Sequence, residues 1–188
     1  MYKLCKTEQS AQRQRQLEEG LLTAMKTRRY EEITISDLCA QMEIPRKSFY
    51  RYFSSKDGAL YALIDHTLED FERRTSTLHD KGKGDIYQDL RNFFEFWREQ
   101  KPLLDVLAHS GISVVLIHRA LLRAQSDHVR TIYSASMEQT AMQQYAATFA
   151  ICGQMSMVTR WHRSGYSESP EEMAKIATAL LTKPLVQI

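Results

Sequence analysis

The sequence predicts an all-α protein with about nine helices. Its seven glycines and four prolines fall almost entirely between segments whose apolar residues recur with helical spacing. No segment alternates Val, Ile and Thr with polar residues over the length of a strand. A hydrophobic fraction of 43% is ordinary for a globular protein and excludes wholesale disorder, and 188 residues suffice for one large or two small domains.

Three helices are expected in the N-terminal part of the chain. The segment 8–28 carries an apolar stripe on one side and an outer face rich in Gln and Arg. Thr34 is placed to cap a second helix and Asp37 to close its capping box, and this helix ends near Glu43. Pro45 suits the first turn of a third helix, which reaches Phe53. Two short helices joined by a tight turn are therefore expected.

The remaining helices follow from start and stop signals of the same kind. Gly165 is placed to end a long helix. Ser169, Pro170 and Glu172 then supply a capping serine, a proline at the first helical position and a capping-box glutamate. The expected helices run from 57 to a polar loop at 79–85, from 85 to 100, from 102 to 110, from 112 to polar sequence near 126, from 141 to 164 and from 170 to 182.

Positive charge is concentrated near the N-terminus, although the net charge is only +2. Residues 1–30 contain seven Lys and Arg against three Glu, and residues 45–56 contain four Lys and Arg with no acid. After residue 57 the chain is nearly balanced, with 14 basic and 15 acidic side chains. This change places the predicted domain boundary at residue 57 and gives domains of 1–57 and 58–188.

The sequence offers little support for several classes of function. Cys5, Cys39 and Cys152 lack the spacing of a metal or redox site, so we expect reduced thiols and no cofactor. The chain has no G-x-S-x-G, no H-E-x-x-H and no phosphate-binding glycine loop, so we expect no enzymatic activity. No secretory signal is evident, and no apolar run approaches the roughly 18 residues of a membrane helix. We therefore expect a cytoplasmic protein without membrane attachment.

The two short helices and their turn suit a helix-turn-helix, whose second helix reads DNA. A helix that enters the major groove, about 12 Å wide, needs a polar groove face and an apolar face that anchors it. Phe49 and Tyr52 are spaced to pack inward. The alternative is a basic, solvated face on an ordinary helix. The side chains left for the groove face are Arg46, Lys47, Tyr50 and Arg51.

Four stretches between residues 17 and 64 carry a more specific pattern. They are Tyr30, the segment 33–39 (ITISDLC), the segment 44–53 (IPRKSFYRYF), and the segment 55–57 (SKD) with Leu60. This part of the chain resembles the DNA-binding domain of the tetracycline repressor family of bacterial regulators. Arg29 and Glu43 stand where that family usually has glycine. A left-handed backbone at Glu43 would cost roughly 1–2 kcal/mol relative to glycine.

The resemblance implies a role for each matching residue. The start of the third helix would read base edges, the tyrosine after it would contact phosphate, and the start of the second helix would anchor the backbone. A lysine at the start of the fourth helix would be a further phosphate partner. The residues implied in DNA binding are Thr34, Ser36, Arg46, Lys47, Ser48, Tyr50, Arg51 and Lys56.

The resemblance also implies a homodimer built from the last two helices, which would bind a pseudo-palindromic operator in double-stranded DNA. The helix over 141–164 independently shows a face of mostly small residues, which would let two helices approach closely. The alternative is burial of both faces inside one subunit. The predicted dimer residues are Ala146, Phe149, Ala150, Gly153, Ser156, Met157, Met173, Ile176, Ala177, Leu180 and Leu181.

Family members are usually repressors released by a small molecule that binds among the middle helices. Aromatic and methionine side chains suit an adaptable site for a small apolar or amphipathic ligand. The alternatives are that these residues are ordinary core, and that the protein has lost DNA reading and binds other proteins. The candidate pocket residues are Phe71, Phe93, Trp97, Tyr133, Met137, Cys152, Met155 and Trp161.

Overall fold

The computed structural model describes residues 1–79, 85–124 and 140–182. Within these ranges the chain forms nine α-helices, one short 3-10 turn and an isolated antiparallel bridge between Tyr2 and Phe53. The all-α prediction is confirmed. The helices are α1 (Glu8–Met25), α2 (Ile35–Gln41), α3 (Arg46–Tyr50), α4 (Lys56–His79), α5 (Ile86–Glu99), α6 (Lys101–His109), α7 (Val114–Ala124), α8 (Ala141–Arg163) and α9 (Pro170–Thr182), and the 3-10 turn is Tyr30–Glu32.

The chain divides into two compact units. The first consists of Met1–Thr67 with Asp105–Ile112, and the second of Leu68–Leu104 with Ser113–Ile188. We call the first the N-terminal unit and the second the C-terminal unit. The functional boundary at residue 57 stays a prediction.

The helix ends follow the predicted signals closely. Thr34 caps α2 and forms a reciprocal capping box with Asp37. At α9, the Ser169 amide donates to the Glu172 carboxylate at 2.7 Å, and the Glu172 amide donates back to the Ser169 hydroxyl at 3.2 Å. Gly165 has φ +72°, the left-handed conformation expected at a helix end. These three expectations are confirmed.

Two helices are shorter than predicted. α1 ends at Met25, because the amides of Lys26 and Thr27 bond to the carbonyls of Thr23 and Ala24, three residues back, in a tightened last turn. α3 ends at Tyr50, and the chain then turns so that Phe53 is fully buried and pairs with Tyr2. In both cases a local turn or a long-range contact ends the helix before the sequence pattern does.

The N-terminal unit has one apolar core. Amphipathic α1 contributes its inner stripe, and α2, α3 and the start of α4 contribute one face each. Burying a side chain of this size stabilises the fold by about 1.5–3 kcal/mol. The core residues that are almost completely buried are Leu17, Leu21, Met25, Ile33, Leu38, Phe49, Phe53, Leu60 and Ile64.

The C-terminal unit has an aromatic core on α5. Phe93 contacts Phe71 and Phe94 with ring centroids 5.5 and 5.2 Å apart, and Phe94 contacts Trp161 of α8 at 5.6 Å. α5 also packs against α9, where Arg91 and Glu171 form an ion pair at 3.0 Å. Truncating a buried aromatic residue of this kind costs about 3–5 kcal/mol.

Candidate nucleic-acid interface

α3 carries the predicted groove-facing side chains on its outer surface. Arg46, Lys47 and Arg51 are exposed, and Tyr50 is 44% exposed. Ser48 is half-buried. The structure therefore brings these five predicted residues onto one short helix and its C-cap, as a cationic and hydrogen-bonding surface.

The opposite side of α3 is anchored by aromatic side chains. Phe49 is 1% exposed, and Tyr52 and Phe53 are 7% and 0% exposed. The Phe49 and Phe53 rings lie 5.2 Å apart. The predicted division of this segment into an inner aromatic face and an outer polar face is confirmed.

The turn between α2 and α3 contains a strained residue. Glu43 has φ +53°, in the left-handed region that glycine adopts without cost. The next amide, that of Ile44, donates to the Cys39 carbonyl at 2.9 Å and closes the end of α2. This turn sets the angle between α2 and α3. The left-handed conformation of Glu43 costs roughly 1–2 kcal/mol relative to glycine at this position.

The start of α2 is fixed by a compact polar network. The Asp37 carboxylate accepts from the Thr34 amide at 3.0 Å and from Arg28 at 3.3 Å, and the Thr34 hydroxyl oxygen accepts from the Asp37 amide at 3.1 Å. The Thr34 amide, the Thr34 hydroxyl and then the Arg28 charge hold the pKa of Asp37 below its usual range. Thr34 and Ser36 are both exposed, as a backbone-anchoring role requires.

Lys56 occupies a different environment from the other predicted cations. Its ammonium group donates to the carbonyl oxygens of Tyr30 and Ile33 at 2.5 and 2.7 Å and lies 4.2 Å from the centroid of the Tyr30 ring. Burial lowers the pKa of Lys56 below its ordinary value. The side chain ties the start of α4 to the turn before α2. Its phosphate contact stays a prediction.

Tyr30 is the centre of a buried junction in the N-terminal unit. Its hydroxyl donates to Asp57 at 2.5 Å, and its amide donates to the Ser110 hydroxyl at 2.9 Å. Burial, together with the bond to Asp57, raises the pKa of the Tyr30 hydroxyl far above its ordinary value. The turn that positions α2 is therefore bonded both to α4 and to the end of α6.

The N-terminal segment, residues 1–6, is part of this unit and was not anticipated from the sequence. The Lys3 amide donates to the Tyr52 carbonyl at 3.0 Å, and the Ser54 amide donates to the Met1 carbonyl at 3.1 Å. The Tyr2 hydroxyl donates to Asp65 of α4 at 2.7 Å. Gly58, in the first turn of α4, is the sequence feature that could have indicated this contact. An added Cβ at this position would lie 2.6 Å from the Met1 carbonyl oxygen, so the close approach requires glycine.

The predicted dimer face divides into two groups. On α8, Ala146, Phe149, Gly153 and Ser156 are exposed, and Ala150 and Met157 are half-buried. On α9, Met173 and Ala177 are buried within the subunit, Ile176 is 44% exposed, and Leu180 and Leu181 are half-buried. Met142 and Tyr145, which the sequence reasoning missed, extend the exposed apolar face of α8, at 78% and 76% exposed.

The candidate pocket residues form part of the core of the C-terminal unit. Phe93, Trp97, Met155 and Trp161 are buried, and Phe71 and Cys152 are half-buried. Tyr133 and Met137 lie outside the described residues. The Trp97 indole is fully buried, yet its N–H meets no hydrogen-bond acceptor among the described residues. The Trp161 indole of the same set, in contrast, donates its N–H to the Glu168 carbonyl at 2.9 Å.

The described ranges contain no group of three or more His, Cys, Asp or Glu side chains that could hold a metal ion. None of the helices in these ranges is both long enough and apolar enough to span a membrane.

Comparison with known proteins gives a family match over the C-terminal half. Residues 84–183 match the TetR_C_8 family, described as a transcriptional regulator C-terminal region. A search of curated proteins found no match.

Solved structures with the same fold extend over almost the whole chain. A fatty acid degradation regulator, FadR from Bacillus halodurans, is 14% identical, with a TM-score of 0.58 over 97% of this chain and 98% of the other. A tetR-family transcriptional regulator from Streptomyces coelicolor is 18% identical, with a TM-score of 0.56 over 91% of this chain and 79% of the other. The dihydroxyacetone kinase operon activator DhaS is 16% identical, with a TM-score of 0.53 over 94% of this chain and 96% of the other. At these identities the likeness shows the fold.

Proposed function

Because the chain belongs to the TetR family of transcriptional regulators, we propose that it is a sequence-specific DNA-binding repressor that a small-molecule ligand releases from its operator. The observation that carries this proposal is the surface of α3. Arg46, Lys47 and Arg51 are exposed together, while Phe49 and Phe53 hold the other side of the helix in the core. Arginine and lysine in the major groove recognise guanine edges, and tyrosine and arginine contact phosphate oxygens.

Binding to duplexes of random sequence tests the DNA-binding part of the proposal. The logarithm of the association constant should fall linearly with the logarithm of salt concentration, by about 0.9 for each phosphate neutralised. Fluorescence anisotropy between 50 and 200 mM salt measures this slope. Tyr50→Phe, which removes one hydroxyl from an exposed side chain, should weaken binding to all sequences alike. No binding at low salt would overturn the proposal and favour a protein-interaction role.

We propose that the active species is a homodimer formed through the exposed face of α8. Phe149 and Met142 are 65% and 78% exposed in the isolated subunit, and Gly153 has no neighbouring atom within 4 Å of an added Cβ. An exposed apolar face of this kind favours an apolar partner, and a second copy would supply one. A two-fold dimer presents its two reading helices about 34 Å apart, so the operator should be pseudo-palindromic.

The proposed ligand site lies among the aromatic residues around Trp97. A buried N–H without an acceptor costs about 1–3 kcal/mol, and an oxygen atom of a bound molecule would offset that cost. We therefore expect an amphipathic ligand with one hydrogen-bond acceptor. Trp97→Phe keeps an aromatic side chain, although a smaller one, and removes the N–H donor, so it should raise the concentration of a releasing compound needed to free the duplex. An unchanged concentration would place the ligand elsewhere.

A further inference from the structure

A polar groove beside α3 supports a backbone contact in addition to those predicted for the α3 surface. We propose that this groove, between α1 and the segment that follows α3, binds a phosphodiester of the DNA backbone. The inference rests on the proposed DNA-binding function and adds a second surface to it.

The groove has a volume of about 510 Å³. α1 lines one side of it with Gln9, Gln12, Arg13 and Gln16, and Arg51 lies on the other side. None of the residues that line it is acidic. Arginine and amide N–H groups are the donors that phosphate oxygens accept in protein–DNA contacts. The chemistry of the groove therefore suits a phosphate group.

The charge of Arg13 is available for such a contact. This exposed guanidinium donates to the side-chain oxygen of Gln16 at 2.8 Å, and that partner is a neutral amide. Arg51 is exposed as well. The groove is thus lined by two cations, one on α1 and one at the end of α3, and each can bind a phosphate oxygen of the DNA backbone through charge-assisted hydrogen bonds.

The arrangement favours a nucleic-acid backbone over a free anion. At 1.5 Å per residue, the row from Gln9 to Gln16 extends about 10 Å along α1, whereas a single phosphate needs donors that converge on one point. Arg51 also follows Tyr50 directly, so the groove is continuous with the end of α3. A strand whose bases are read by α3 would carry its next phosphates toward this groove.

The salt dependence of DNA binding tests the proposal. Arg13→Gln should lower the slope of log affinity against log salt by about 0.9 per subunit, the amount expected for one lost phosphate contact. Gln12→Lys should raise the slope. Arg98→Gln, the same change at an exposed site of α5 in the C-terminal unit, is the matched control and should leave the slope unchanged. Thermal unfolding of each variant checks that the fold is retained.

Each outcome separates this inference from the proposed function. If the wild-type protein binds no duplex, the proposed function fails. If the wild type binds and Tyr50→Phe weakens it, but Arg13→Gln behaves like Arg98→Gln, only the groove proposal is overturned. Titration with inorganic phosphate, followed by the NMR signals of the arginine Nε–H groups, tests whether the groove binds a free phosphate ion or a phosphate of the DNA backbone. Saturable phosphate binding at Arg13 with an unchanged salt slope would assign the groove to a free anion and overturn the DNA-backbone contact.

Discussion

The surfaces of α3 and of the first half of α8 are opposites. α3 turns Phe49 into the core and exposes arginine and lysine, whereas α8 exposes Met142, Tyr145 and Phe149. Leaving a large apolar side chain in water costs about 1.5–3 kcal/mol relative to burying it, while an exposed arginine carries no such penalty. This contrast supports the two proposed partners, a polyanion for α3 and the apolar face of a second copy for α8.

The largest effect should come from placing a charge on the α8 face. Gly153→Glu fits the isolated subunit, because no atom lies within 4 Å of an added Cβ. At an apolar interface the carboxylate would be buried without a partner, which costs several kcal/mol. We expect a species near the monomer mass of 21.9 kDa by light scattering. Thr23→Glu, on the exposed side of α1, should leave the dimer intact. An unchanged dimer mass for Gly153→Glu would show that the exposed face of α8 is not the dimer interface.

The next effect should come from the reading surface. Arg46→Ala should weaken operator binding by about 1–3 kcal/mol if the arginine makes a bidentate contact with guanine, and should relax the preference at one operator position. Selection of bound sequences by the wild type and the variant measures this change. Equal weakening on every sequence would instead make Arg46 a phosphate contact.

A smaller effect is expected on the stability of the N-terminal unit. Lys56→Met removes the donor from the Tyr30 and Ile33 carbonyls, which solvent reaches only in part. We expect a loss of roughly 1–2 kcal/mol in the free energy of unfolding, measured by chemical denaturation. Lys47→Met, at an exposed site, is the control and should change stability little. Equal stability of the two variants would show that the two carbonyl contacts contribute nothing.

The smallest effect should be a pH dependence at the start of α2. Folding holds the pKa of Asp37 below its ordinary value of 3.8, so its contribution is present above that pH and is lost as the pH falls through the lowered value. The protection factors of the amides at residues 34–37, which compare their exchange with that of an unstructured chain at the same pH, should therefore fall on acidification below that range. Asp37→Asn should show the lower protection factors already at neutral pH and little further change in acid. Wild-type protection factors that stay constant through that range would exclude this capping role.

The parts of the fold that depend on near neighbours in sequence were predictable. The capping pairs Thr34 with Asp37 and Ser169 with Glu172 lie three residues apart, so the pattern and the contact occupy the same short segment. The two faces of α3 were predictable for the same reason, since helical spacing decides which side chains share a face.

Contacts between distant residues were not predictable. Tyr2 meets Asp65 across 63 positions, and nothing in the composition of residues 1–6 indicates that pairing. The apolar stripe of α9 shows the same limit of prediction from sequence. Helical periodicity identifies an apolar face but does not identify the residues that pack against it. The structure buries Met173 and Ala177 inside the subunit and leaves Ile176 partly in solvent.

The close approach of Met1 to α4 has a practical consequence for laboratory work. The Met1 carbonyl accepts from the Ser54 amide, and the space beside it is taken by Gly58. A purification tag joined directly to Met1 would therefore emerge beside the turn that follows α3. Next to the proposed DNA-binding surface, the bulk and charge of such a tag would compete with a duplex and shift measured affinities. Assays of this regulator should accordingly be run with any N-terminal tag cleaved away.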